Sequence, residues 1–484
     1  MKNLKRYGRW AVLTCAAGVL AACNGLTFQG ARPMPGTGPN GSELRTTSQV
    51  AVGLAPAPAT PVVYPLTFRV NAVDKYNGVA VEDPYRWLED LDSDATHQWV
   101  EAENKISAPR LEAIPHRAWL KQRLTALWNF ERFGVPIKRG GNAGRYFYLP
   151  NDGMQNQSVL YVTDKLDAPG RVLFDPNTVR SDATVSLSEF TPNRDGSIVA
   201  YAVSDGGTDW QTWKFRRVAD DQDLPDTLQW TKFWGVSWAH DGSGVYYDRY
   251  PALPNGKGDD AGRPAIYVHR LGDLQDQDKL VYEVTDNPTR IPAGHVTDDG
   301  RYLIITQFDG YEKNGVSILD LRKTDARVKP LFYAWDALYN FVGSQGDKLY
   351  FLTTKDAPLR RVIVVDATEP ASTLWPTVIP EQSSALDEAA YVGNMLVAKY
   401  VENAHSVGRL YDSHGKPVGA LALPGLGQIA GFEGDANDPE TFFSYTDYLT
   451  PTQIYRYDVR TNTPTLWRKP NIDANTDQYV TEQV

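Results

Sequence analysis

Hydrolysis at a peptide carbonyl needs a nucleophile, an oriented base and donors for the oxyanion. One run comes near a serine nucleophile elbow of the GxSxG kind: "GVSWA", with Gly235, Ser237 and Ala239 where the second glycine belongs. It sits in "KFWGVSWAHDGSGVYYDRYP", which reads as a strand, an Asp-Gly turn and another strand. An elbow needs a strand turning into a helix. Ser237 is therefore read as a strand residue, and no HGGG-like oxyanion segment accompanies it. The seven histidines (His97, His116, His240, His269, His295, His405, His414) fall at neither HxH nor HExxH spacing and are read as solvated or hydrogen-bonded. A glycosidase or lyase would need two carboxylates across a pocket. With 59 Asp and Glu, runs such as "DDQD" and "GKGDD" are better read as solvated loops. No DxDxDG calcium loop occurs. No metal and no cofactor are expected.

The two cysteines, Cys15 and Cys23, stand at the start of the chain, so the rest has no disulfide framework or thiolate metal site. Lys2, Lys5, Arg6 and Arg9 precede "WAVLTCAAGVLAA", an apolar run too short to span a membrane as a helix. It ends in "LAAC", which resembles a bacterial lipobox. Residues 1–22 are read as a lipoprotein signal peptide and Cys23 as the lipidated first residue of the mature chain. Multiple acyl chains make a stable anchor. Asn24 is not the Asp that retains such proteins in the inner membrane. A lipid anchor in the outer membrane, facing the periplasm, is the expected location. Residues 23–60 are rich in Gly, Pro, Ser, Thr and Ala and read as a disordered tether.

Two or three units are expected in 484 residues. The net charge of −10 argues against a nucleic-acid partner. Residues 61–132 form a helical lead-in. Ser93 or Asp94 can cap a helix over "THQWVEAENKISAPRLEAI", which Pro109 should kink or interrupt. A second helix fits "HRAWLKQRLTALWNF", with Trp119, Leu120, Leu124 and Leu127 near one face.

From about Phe133 short strands follow one another, among them "SIVAYAVS", "GVYYDRY", "YLIITQF", "KLYFLTT" and "MLVAKYV". "TPNRDGSIVAYAVS", "WAHDGSGVYYDRY" and "VTDDGRYLIITQF" share an Asp-Gly pair before an apolar strand, and "SQGDKLYFLTT" continues the series at Gly346. The pair suits a tight turn in which Gly takes positive φ. A period near 50 is a propeller signature, and residues 133–475 hold about seven blades at roughly 49 residues each. The fold class is mainly β: a seven-bladed β-propeller preceded by a short helical segment. A β-sandwich pair is the alternative architecture, less compatible with so long a period. The final "QYVTEQV" alternates polar and apolar residues like a strand.

These residues resemble the prolyl oligopeptidases, serine peptidases of the α/β-hydrolase type. The resemblance is carried by "VEDPYRWLEDLDSDATHQWVEAEN", "YFYLPNDGMQNQSVLYV", "SDGGTDWQTWKFRRV", "LTTKDAPLRRVIVVD" and "SYTDYLTPTQIYRYDV", in family order from Val81 to Val459. It implies a helical segment packed on a hydrolase domain and a seven-bladed propeller that admits only short peptides. A Ser, Asp and His triad in the hydrolase domain then cleaves after proline. It further implies weak closure between first and last blades. Phe215 in "WKFRRV" would line the substrate cavity, with blade packing as the alternative. Trp210 and Trp213 are read as core.

The sequence departs from the family where chemistry should occur: these 484 residues hold no GxSxGG elbow and no downstream Asp and His. Residues 476–484 would begin the absent hydrolase domain, and no catalytic residue is assigned. The chain is expected to be inactive alone. Its partners would be short proline-containing peptides once a hydrolase domain completes it, with the membrane met only through the anchor and a monomer as the expected state. The alternative is a lipid-anchored propeller acting as a peptide- or protein-binding scaffold.

Overall fold

A computed structural model describes residues 62–141, 144–370, 372–472, 476 and 478–483. The signal peptide, Cys23 and the whole of the tether lie outside the described residues. The chain divides into two compact units, with the boundary between Leu127 and Trp128.

In the first unit, Val73–Tyr76 pairs antiparallel with Val79–Glu82. Asn77 and Gly78 make the turn, both at positive φ, as a two-residue hairpin with right-handed strand twist requires. Arg86 holds this hairpin through Asp74 at 2.5 and 3.1 Å. Helix α1 spans Asp94–Glu112, and the Ser93 hydroxyl accepts from the Thr96 amide at 3.2 Å, which satisfies one orphan donor. Pro109 does not break α1. It lies in the last turn, and the helix stops at Glu112, just beyond it. Helix α2 spans Arg117–Trp128 and buries none of its residues. Trp119, Leu120, Leu124 and Leu127 are all exposed.

The second unit is a propeller of seven four-stranded antiparallel sheets, six built from consecutive strands; in the first, Pro150–Asn151 intervenes and pairs instead with Arg132–Phe133. The first strands are Ile137–Arg139, Val185–Pro192, Ser237–Trp238, Ile291–Val296, Tyr339–Gln345, Ala385–Val392 and Gln428–Gly431. In a propeller these line the central channel and the fourth strands form the rim. Three blades turn from first to second strand in the same way. Gly196, Gly242 and Gly300 have φ of 69, 71 and 71°. Each preceding Asp carboxylate accepts from the amide two residues on, at 2.9 to 3.1 Å. The Asp-Gly repeat of the sequence is thus one turn used three times.

Blades pack through their second and third strands. Trp213, Phe215, Tyr247 and Leu228 fill the space between blades two and three. Fully burying one such large side chain contributes roughly 1.5–3 kcal/mol. Blades one and seven share no strand among the described residues. Tyr146, Leu166, Phe442 and Ile454 pack at their joint, and Trp467 donates its Nε1–H to the Leu166 carbonyl at 3.2 Å.

The expected C-terminal strand is not formed. Residues 478–483 carry no strand, and Tyr479 and Val480 are exposed. No neighbouring strand pairs with them among the described residues, and a lone extended segment has no partners for its backbone groups.

Candidate functional site

The central channel is the concave feature of the propeller. On the face made by the turns between first and second strands, residues of blades one, two, three and seven line a cavity of about 520 Å³. Lys138, Arg139, Arg194, His240, Asp435 and Glu440 are among its lining residues. The turns bring them together because each blade points its first turn at the same end of the channel.

The lumen is charged and partly desolvated. Glu189, on the first strand of blade two, is pushed up to about 7 by burial, and the charge of Glu433 adds to the effect. Its carboxylate lies over Gly235, where a Cβ would come within 2.2 Å of it. Burial also pushes Asp298 up, and the Asp435 charge adds to this, while the Ala436 amide, His295 and Arg139 oppose it. His295 is ringed by protein yet keeps accessible surface, as a side chain facing an internal channel does. Burial lowers its imidazole below the ordinary value. The Arg139 guanidinium is likewise pulled down by burial, against the charges of Glu433, Asp298 and Asp435. The lumen therefore offers charges and hydrogen-bonding groups.

Ser237 has a structural duty. Its hydroxyl accepts from the Val296 amide at 2.8 Å and stitches blade three to blade four. His414 lies 3.3 Å from the Ser413 hydroxyl, but the two are chain neighbours in an exposed turn. His269 is fully buried, and its two ring nitrogens meet Asp278 at 2.7 Å and Asp226 at 3.1 Å. Among the described residues no cluster of three or more His, Cys, Asp or Glu could hold a metal ion.

Phe215 does not line the cavity. It has no exposed surface, and its ring meets Trp238 edge-on at 5.7 Å and His269 at 6.1 Å. The apolar strand pairing around Phe215 places it in the blade core, which is the packing alternative. Trp213 is core, as expected. Trp210 is only half-buried: Gly258 leaves room for its ring, and the Lys232 ammonium lies 3.9 Å from the ring centroid. Glu189, His295 and Asp298 were not singled out in the sequence. Their signal is weak, since each lies in a first strand or turn where polar and apolar residues mix.

A ring of seven four-stranded sheets around a charged lumen defines a β-propeller. Residues 64–470 match the family model "Prolyl oligopeptidase, N-terminal beta-propeller domain". The chain belongs to the prolyl oligopeptidase family through that domain. It is 37% identical over 427 residues to a prolyl endopeptidase of Elizabethkingia meningoseptica, covering 87% of this chain and 59% of the relative. A prolyl oligopeptidase of Omphalotus olearius is 30% identical, with 88% and 62% covered. A solved prolyl endopeptidase superposes with a TM-score of 0.79 at 32% identity, over 87% of this chain and 62% of its own. Prolyl oligopeptidase B of Galerina marginata, solved with a 35-residue hydrolysis and macrocyclization substrate, gives a TM-score of 0.74 at 27% identity, over 86% and 62%. The chain thus spans about three fifths of the length of these relatives.

Proposed function

We propose that this chain is the N-terminal and propeller part of a prolyl oligopeptidase-like serine endopeptidase. The propeller would gate the access of short proline-containing peptides to an α/β-hydrolase half, and these residues alone would not cleave peptides. One observation carries the reading: the family match runs through the whole propeller, while the serine nearest to an elbow, Ser237, spends its hydroxyl on the Val296 amide. The exposed face of α2 supports it, since a helix with Trp119, Leu120, Leu124 and Leu127 on its surface calls for an apolar cover. The basic start, apolar run and "LAAC" support lipidation at Cys23 and an outer-membrane location facing the periplasm.

The purified chain should leave a chromogenic Gly-Pro peptide intact. It should gain cleavage when a separately expressed hydrolase half of a family member is added. Cleavage by the chain alone, blocked by a serine reagent, would refute the reading. For the anchor, Cys23→Ser should move the protein from the membrane to the soluble fraction; unchanged fractionation removes that part.

A further inference from the structure

The turn between first and second strands differs in blade seven. Blades two, three and four use the compact Asp-Gly turn, whereas blade seven runs from Gly431 to Glu440 through "FEGDANDP". This loop reaches four other blades. The Gly393 and Asn394 amides of the blade-six turn donate to the Asp435 and Ala436 carbonyls at 3.2 and 2.7 Å. The Ala436 amide donates to Asp298 Oδ2 of blade four at 3.0 Å. Asp435 pairs with Arg194 of blade two at 3.6 Å. Asp438 takes the Lys138 ammonium of blade one at 2.7 Å, with both side chains nearly buried.

In a ring of seven, blade seven adjoins only blades six and one. Its contact with blade four, on the far side of the ring, must therefore reach across the channel, and its contact with blade two passes over the tip of blade one. Arg194 also donates to the Asp298 carbonyl, which His240 Nδ1 meets at 3.0 Å, so the tips of blades two, three and four close beneath the same loop. The approach is tight: a Cβ on Gly393, at φ 55°, would come within 2.6 Å of Pro439 Cα. Ala436 is buried at the centre of these contacts.

We propose that residues 432–439 form a strap with two duties. It fastens the joint between the first and last blades, which share no strand, and it blocks this mouth of the channel. Any ligand of the channel is then admitted from the opposite mouth. The strap is a property of the fold, independent of what the chain does with peptides.

The test uses the full chain with Cys15→Ser and Cys23→Ser, so that His295→Cys places a lone thiol in the lumen. A small methanethiosulfonate should label it readily, and a bulky maleimide slowly. Adding Arg194→Ala, Asp298→Ala and Lys138→Ala should raise bulky labelling about tenfold or more, because several charge-assisted bonds are lost together. Amide exchange at Gly393 and Asn394 should accelerate in parallel. If the triple variant loses its far-UV circular dichroism, Lys138→Ala alone serves. It should accelerate exchange in Arg145–Tyr148 and leave Lys348–Thr353 of blade five unchanged. Labelling and exchange within twofold of the parent would overturn the strap. A thiol that the small reagent cannot reach in the parent would overturn admission from the opposite mouth.

Discussion

Blades four and five meet over thirteen buried residues, from Tyr302 to Ala367, whereas blades seven and one meet over four. The joints differ in what the chain does for them. Blades four and five are sequence neighbours, so the connection between them already holds them close. Blades seven and one come from opposite ends of the propeller, and closing so long a loop costs entropy before any contact forms. The structure meets that cost with a smaller apolar patch, the Trp467 hydrogen bond and the ion pair of Lys138 with Asp438. A ring of self-contained sheets has one weak joint, and its position is set by chain connectivity.

The contrast can be broken in graded steps. Phe351→Ala, in the broad joint, should cost about 3–5 kcal/mol in urea unfolding, because the neighbours cannot collapse into the space. A loss under about 1 kcal/mol would mean that this joint is not the tight one.

His269→Leu tests a polar fastening between blades two and three. Asp226 and Asp278 face the ring from either side, Tyr247 donates to Asp278 at 2.6 Å, and Phe215 stacks on it. Removing the imidazole leaves two buried carboxylates without a counter-charge, at a cost of about 3–5 kcal/mol. The native ring is also pH-sensitive. Burial pulls its affinity for a proton down, but the hydrogen bond and charge of Asp278, then those of Asp226, outweigh it, and the net shift is upward. A raised folded value means the contribution is whole below the unfolded value of 6.5 and fades as pH rises through the folded one. The gap between parent and His269→Leu should narrow from pH 6 upward. A gap that widens with pH would show that the ring is neutral in the native state.

Trp467→Ala should cost about 2–3 kcal/mol, less than the broad joint. Its amide exchange should quicken in blades one and seven only. Quickening spread evenly over all blades would erase the distinction between the joints. Asp248→Asn should change stability by less than about 1 kcal/mol. Burial pushes this carboxyl well above its usual range, which favours the neutral form, and the amide matches a neutral acid in size. A large loss would show that Asp248 carries charge.

How much of this was legible in the sequence follows the blade anatomy. The strands read from the sequence are mostly second and third strands, such as Ile198–Asp205, Tyr302–Phe308 and Arg361–Asp366. Both their faces are buried between blades, so they read as apolar runs. First strands face the channel and mix their residues: "IPAGHV" at Ile291–Val296 holds a proline, a glycine and the lumen histidine. Most fourth strands are short and partly exposed, as "PVGA" at Pro417–Ala420 shows. The lumen lies on first strands and their turns, so Glu189, His295 and Asp298 had no periodic signal. Phe215 went the other way: a resemblance placed it at a cavity, and its alternation within Gln211–Arg217 places it in the core. "QYVTEQV" alternates correctly and still forms no strand, because periodicity records a face to bury and not the partner that buries it.

Under the proposed function, the propeller's serines perform no acyl transfer by themselves. A fluorophosphonate probe reads this directly, since it reacts only with a serine activated by a base and oxyanion donors. The folded chain should remain unlabelled under conditions that label a prolyl endopeptidase to completion. Stoichiometric labelling of any serine, Ser237 above all, would contradict the account.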